Sequence, residues 1–226
     1  MIFRYYTIVY VEVYVEKGRQ MNEVNTVFGV LNKVLVEFKG ELENKRVAFV
    51  LKEGQLNINL SGVLSEVYYP SDVGEVYKAL GYDVEVICSL GQVFAKLNFK
   101  HLGDRDTRVV TNLLNGLMHI ARSIQILFED VLNESKLEML KFRDVDDLNI
   151  ITQCLVQFIE MVKNLMPRIK DGVISAASKT SAKDVVKALN GGILANQYVM
   201  LNSMLRNIHG LLFDIIAWVE LDMIIV

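Results

Sequence analysis

The chain has little cysteine and little proline, and it carries no excess of positive charge. Two of its 226 residues are cysteine and two are proline, which excludes a disulfide-rich scaffold and leaves room for long helices. We expect Cys88, in a strand-like context, and Cys154, in a helix-like context, to be buried free thiols. The formal charge of −3 argues against a surface coated with cations for nucleic acid, but it leaves room for a local basic patch.

The sequence also lacks targeting and membrane signals. No uninterrupted apolar run reaches the roughly 18 residues that a membrane-spanning helix requires. The first residues have no charged region followed by an apolar core and a small-residue cleavage site, so no signal peptide is expected. The sequence therefore predicts an intracellular, cytoplasmic protein.

Sequence motifs that carry chemistry are missing as well. The chain contains no Gly-rich nucleotide loop, no GxSxG and no HExxH or Cys/His metal spacing. Among its three histidines, His119 and His209 fall in apolar helical stretches, as core or interface histidines do. His101 and the charged residues up to Arg108 could form a hydrolytic site, but capping and salt bridges explain this cluster better. We predict no catalytic residue, no metal and no cofactor, and a protein that is more consistent with a non-enzyme.

Residues 1–103 read as an α+β domain with a β-αββ-αββ order. Residues 2–16 alternate between apolar and polar in the manner of a strand, and helical spacing follows over 21–38, closed by Gly40. Hairpins are predicted over 46–60, turning at Glu53-Gly54, and over 84–99. Between them, a helix starts at Ser71 or Asp72 and ends near Gly81.

Residues 104–226 read as an antiparallel bundle of three long helices. Asp104 or Asp106 caps a helix over 106–142 that breaks near 133–135. The central helix, 148–169, has apolar residues in steps of three and four, the spacing of coiled-coil-like packing; they are Leu148, Ile151, Leu155, Phe158, Val162, Leu165 and Ile169. Pro167 should kink or end this helix.

The third helix begins at residues 180–184, where Ser181 and Asp184 resemble a capping box, and Gly191-Gly192 marks a hinge. Residues 193–226 hold only four formal charges, so this segment should be buried nearly all round. Three helices of one chain would cover it incompletely, which predicts a homodimer. The predicted interface residues are Leu201, Leu205, Ile208, Leu212, Ile215 and Val219.

Charge is concentrated between the second and third helices. Residues 163–187 carry a net charge of +4, which suggests an anion or nucleic-acid contact at Lys170, Lys179, Lys183 and Lys187, although an ordinary solvated loop would look the same. The sequence thus favours a non-enzymatic oligomerisation or protein–protein interaction module that dimerises through its C-terminal helices. The alternative is a regulator that binds nucleic acid or another polyanion through the basic turn 163–187.

Overall fold

The computed structural model describes the backbone of residues 2–54, 56, 73–97, 99, 102–191 and 198–220. It describes the side chains of the same residues except 2–20 and 198–202. Within these ranges the secondary structure is helical, with eight α-helices; the π-helical turn Leu127–Val131 continues α4. The α-helices are α1 (Ile2–Glu53), α2 (Val73–Ala79), α3 (Val84–Lys96), α4 (Asp104–Ile126), α5 (Glu134–Leu140), α6 (Val145–Ala177), α7 (Ala182–Leu189) and α8 (Tyr198–Glu220).

Helix α6 lies at the centre of the packing. It contacts α1, α3, α7 and α8. The seven apolar residues that predicted its seam are all at most 4% exposed, so this prediction is confirmed. The side chain of Asp144 caps the helix by accepting a hydrogen bond from the Asp147 N–H at 2.8 Å.

Pro167 was predicted to kink or end the central helix, and the prediction that it ends the helix is wrong. Helix α6 has 33 residues and continues through Pro167 to Ala177. Proline leaves the carbonyl of Lys163 without its helical donor. Because Lys163 and Pro167 are both exposed, the missing backbone hydrogen bond lies on the solvent side of the helix, where water can donate to the Lys163 carbonyl instead.

The predicted break after α4 is confirmed. The helix passes through the π-helical turn and stops at Leu132. Asn133 then starts α5, since its side-chain oxygen accepts a hydrogen bond from the Lys136 N–H at 3.0 Å. The prediction that Asp104 or Asp106 caps α4 is wrong, since Gly103 occupies the cap position and both aspartates lie in the first turn.

The predicted α+β half is wrong, because the described residues contain no strand. The backbone of 2–16 belongs to α1, and Gly40 does not end this helix, which continues to Glu53. In a strand, Val47, Phe49 and Leu51 would share one face. Instead, Phe49 is 1% exposed while Val47 and Leu51 are 48% and 76% exposed, as helical periodicity requires. Residues 57–60 of this predicted hairpin lie outside the described residues.

The second predicted hairpin, 84–99, is also wrong over its described residues, since 84–96 form α3. Its apolar residues recur at helical spacing and are buried, namely Val86, Ile87, Leu90, Val93, Phe94 and Leu97. Asp83 caps the helix by accepting hydrogen bonds from the N–H groups of Glu85 and Val86. The predicted short helix before it is confirmed as α2, whereas its predicted caps, Ser71 and Asp72, lie outside the described residues.

Helices from both sides of residue 103 pack together. In addition to the contacts of α1 and α3 with α6, α2 contacts α4. Helix α8 packs on α4 and α6, and α7 packs on α6, α4 and α3. The division into domains 1–103 and 104–226 stays a prediction.

Candidate anion-binding cleft

A cleft of about 620 Å³ separates the start of α4 from one side of α7. Its walls are apolar, formed by Leu102, Val109, Ala182 and Val186. The two valines are at most 8% exposed and anchor the walls to the core. The cleft's volume lies within the range of about 300–1,000 Å³ that is typical of ligand sites.

Three cations line this cleft, Arg105 from α4 and Lys183 and Lys187 from α7. All three residues are exposed, and none forms an ion pair with another residue in the part of the chain that the structure describes. Lys183 and Lys187 lie one helical turn apart, so their side chains point to the same side of α7. The cleft therefore presents positive charge next to apolar surface.

Acidic residues are adjacent to these cations in the sequence. Asp106 is half-buried and lines the cleft. Asp184 is engaged by the cap of α7, because the Ser181 hydroxyl donates to its carboxylate at 2.7 Å and accepts from its N–H at 3.1 Å. The predicted cap at Ser181 is thereby confirmed. With Asp106 as the one carboxylate among the described lining residues, the cleft keeps an excess of cations.

The other two predicted contact lysines lie elsewhere. The Lys170 ammonium is 2.7 Å from a Glu85 carboxylate oxygen and 3.1 Å from a carboxylate oxygen of Asp83. Hydrogen bonds to Glu85 and then to Asp83 raise the pKa of Lys170. Lys179 is half-buried, and its carbonyl accepts a hydrogen bond from the Lys96 ammonium. The basic turn 163–187 therefore does not form one continuous row of free cations.

Lys96 has a role that the sequence analysis did not find. Its ammonium donates to the carbonyls of Ala177 and Lys179, at the end of α6. A cation at the C-terminus of a helix satisfies carbonyls that lack helical donors and faces the negative end of the helix dipole. The predicted hairpin over 84–99 placed Lys96 on a strand, so this contact with the end of α6 was not predicted.

Most of the predicted dimer-interface residues are covered by the chain's own helices. Ile208, Leu212, Ile215 and Val219 are at most 5% exposed, and the helix that carries them, α8, packs on α4 and α6. Leu205 is half-buried against the same core, and the side chain of Leu201 lies outside the described residues. One chain therefore covers more of α8 than the sequence analysis expected.

His119, His209 and the two cysteines are not among the residues that line the cleft. His119 of α4 and His209 of α8 meet edge to face, with 5.7 Å between ring centroids. Partial burial, followed by the nearby His209, lowers the pKa of His119 below its ordinary value of 6.5. Cys88 and Cys154 are free thiols, as predicted, but both are half-buried rather than buried. Burial raises the pKa of Cys154.

Of the predicted junction cluster, Arg105 and Asp106 line the cleft, and His101 lies outside the described residues. In the described part of the chain, no three side chains among His, Cys, Asp and Glu come together in a way that could hold a metal ion. Among the described helices, none combines the length and hydropathy needed to cross a bilayer.

Arg105 is the cleft residue that the anion-contact prediction missed. It lies 78 positions before Lys183 in the sequence, so no local charge count can join the two. The sequence feature that could have pointed to Arg105 is the charged cluster from His101 to Arg108, which was interpreted as capping residues and salt bridges and not as part of the anion contact. No known family, no curated protein and no solved structure matches this chain.

Proposed function

We propose that the protein is a non-enzymatic interaction module that binds an acidic, partly apolar segment of a partner protein in the cleft between α4 and α7. The observation that carries this proposal is the convergence of Arg105, Lys183 and Lys187 on one apolar-walled cleft. Carboxylates of a partner would pair with these cations, and its apolar side chains would cover the walls. Complementary charge gives such a contact specificity and a faster association rate.

A protein segment fits this cleft better than nucleic acid does. A nucleic-acid strand needs a track of free cations along its phosphates, often with aromatic side chains for base stacking. Lys170 is paired with Asp83 and Glu85, which interrupts such a track. The described lining residues of the cleft include no aromatic side chain.

The test measures binding by fluorescence anisotropy of a labelled synthetic peptide in which glutamates flank two leucines. We expect saturable binding that weakens as salt is added. The double variant Lys183→Glu, Lys187→Glu should reduce affinity about tenfold or more, because two attractive contacts become repulsive. Lys39→Glu, Lys78→Glu makes the same change in charge on a different surface and should bind like the wild type.

Two outcomes would overturn this proposal. One is a peptide affinity that both double variants leave unchanged. The other is binding of a labelled single-stranded oligonucleotide, lost in the cleft variant, without binding of the peptide. The second result would establish the polyanion-binding alternative.

A second candidate function is self-association through the end of α1. Val47, Val50 and Leu51 have exposed fractions of 48%, 52% and 76%, and their spacing places them on one side of the helix. A symmetric dimer could bury this patch against its own copy. Light scattering should give a mass that rises with concentration. The double variant Val47→Glu, Leu51→Glu should have the mass of a monomer at all concentrations; a wild-type monomer at all concentrations would contradict this candidate.

We also propose a cytoplasmic location for the protein; this proposal rests on the sequence alone.

A further inference from the structure

A second cavity, of about 580 Å³, forms a groove between α1, the end of α2 and the end of α4. Val36, Leu42 and Phe128 give it an apolar surface. Val36 is 58% exposed, so apolar surface remains open to solvent in the groove. A cavity of this size falls in the range that accommodates small molecules.

The π-helical turn Leu127–Val131 shapes one wall of this groove. Leu127 and Val131 anchor the turn, being at most 4% exposed. Phe128 lies between them in sequence but is only partly buried, and its ring packs against Phe38 at 5.7 Å between centroids. Short π-helical turns are rare and often occur at functional sites.

The charged groups around the groove differ in whether they have partners. Glu43 is held by Arg46 through hydrogen bonds of 2.8 and 2.6 Å, and Glu129 accepts one from Gln125 at 2.8 Å. Lys39 and Lys78 also line the groove, and neither pairs with a carboxylate among the described residues. The groove therefore combines apolar surface with two cations that are available to an anion.

The Lys39 ammonium lies over the groove surface rather than away from it. Its nitrogen is 6.0 Å from the centre of the Phe128 ring, at the limit of a cation–π contact. An anion bound by Lys39 would thus lie beside the apolar surface. A ligand with one anionic end and a hydrocarbon body matches both features.

We infer that this groove binds a fatty acid, with the hydrocarbon chain against Val36, Leu42 and Phe128 and the carboxylate between Lys39 and Lys78. The site is distinct from the α4–α7 cleft and does not depend on the function proposed for that cleft. A protein helix is a poorer match, because the available positive charge is confined to two lysines at one cavity.

The experiment is isothermal titration of the full chain with dodecanoate below its micelle concentration, and with dodecanol as the uncharged analogue. We expect saturable binding of dodecanoate. Lys39→Ala, Lys78→Ala should weaken it about tenfold, which corresponds to about 1.4 kcal/mol, and should leave dodecanol binding unchanged. Lys183→Ala, Lys187→Ala, in the other cleft, should affect neither ligand.

A second variant tests the apolar part of the site. Gly40 lines the groove, and a Cβ added there meets no heavy atom within 4 Å, so the helix can accept a side chain at this position and Gly40→Leu adds apolar bulk beside the groove. We expect this variant to lose binding of both ligands while keeping its helical circular dichroism. Absence of saturable dodecanoate binding to the wild type, or equal affinities in the wild type, the Lys39/Lys78 double variant and Gly40→Leu, would overturn the inference.

Discussion

Asp83 is a single residue that serves two helices. One carboxylate oxygen accepts hydrogen bonds from the N–H groups of Glu85 and Val86, at 3.0 and 3.3 Å, and so caps α3. The other oxygen lies 3.1 Å from the Lys170 ammonium of α6. The same side chain therefore starts one helix and attaches it to another.

We predict that Asp83→Ala lowers the free energy of unfolding by about 1–2 kcal/mol, as the loss of a helix cap does. Asp83→Asn keeps an oxygen that can cap the helix and loses the charge that attracts Lys170. Because the ion pair is partly exposed, Asn should cost about half as much or less. Urea unfolding followed by circular dichroism measures both changes.

Asp104 provides a matched control for this prediction. It is exposed in the first turn of α4, where no side chain makes a cap hydrogen bond. Asp104→Ala removes a favourable interaction with the helix dipole and nothing more, which is worth about 0.3–1 kcal/mol. Equal losses for Asp83→Ala and Asp104→Ala would contradict the capping role of Asp83.

At the scale of elements, sequence predicted best the helices whose apolar spacing fits no other structure. The seven-residue seam of α6 fits only a helix with one buried side, and all seven residues are buried. The break near Asn133 and the cap at Ser181 depend on local side-chain chemistry, which can be read from a few neighbouring residues. Those predictions needed no knowledge of distant contacts.

The strand predictions were wrong where the apolar residues fit both the two-residue period of a strand and the 3.6-residue period of a helix. In 84–97 the buried residues satisfy helical spacing, but Val84, Val86 and the residues after Gly91 also satisfy alternation. Strand preference depends strongly on context, because a strand needs a partner. A helix satisfies its own backbone and extends one residue at a time once formed, which favours α1 over an isolated strand.

The candidate cleft could be predicted only in part for a similar reason. Lys183 and Lys187 belong to a local excess of charge that is visible in the sequence. Lys170 does not belong to that group because it forms ion pairs with Asp83 and Glu85, which lie 87 and 85 positions away in the sequence. Pairings of this kind follow from helix packing and cannot be deduced from charge counts.

At the scale of the whole molecule, α6 connects the helices that come before residue 103 with those that come after it. It is contacted by α1 and α3 from before residue 103 and by α7 and α8 from after it. Leu155 and Phe158, near its middle, are completely buried. A helix shared in this way couples the packing of both halves among the described helices.

We therefore predict that the chain unfolds in a single cooperative transition. Trp218, the one tryptophan, is partly buried on α8, so its fluorescence reports on the C-terminal side. Circular dichroism reports on all helices, including the 52 residues of α1. The two signals should give the same urea midpoint; a separate transition in circular dichroism alone would instead support independent domains at 1–103 and 104–226.

Variants in and out of the shared core sharpen this prediction. Leu155→Ala creates a cavity in a fully buried site of α6, which should cost about 2–5 kcal/mol. If the halves are coupled, both signals must move to lower urea by the same amount. Phe142→Ala removes a larger side chain that is 90% exposed, so it should change stability by no more than about 0.5 kcal/mol. A shift of the tryptophan signal alone in Leu155→Ala would mean that α1 and α3 stay folded without α6, and would contradict the shared core.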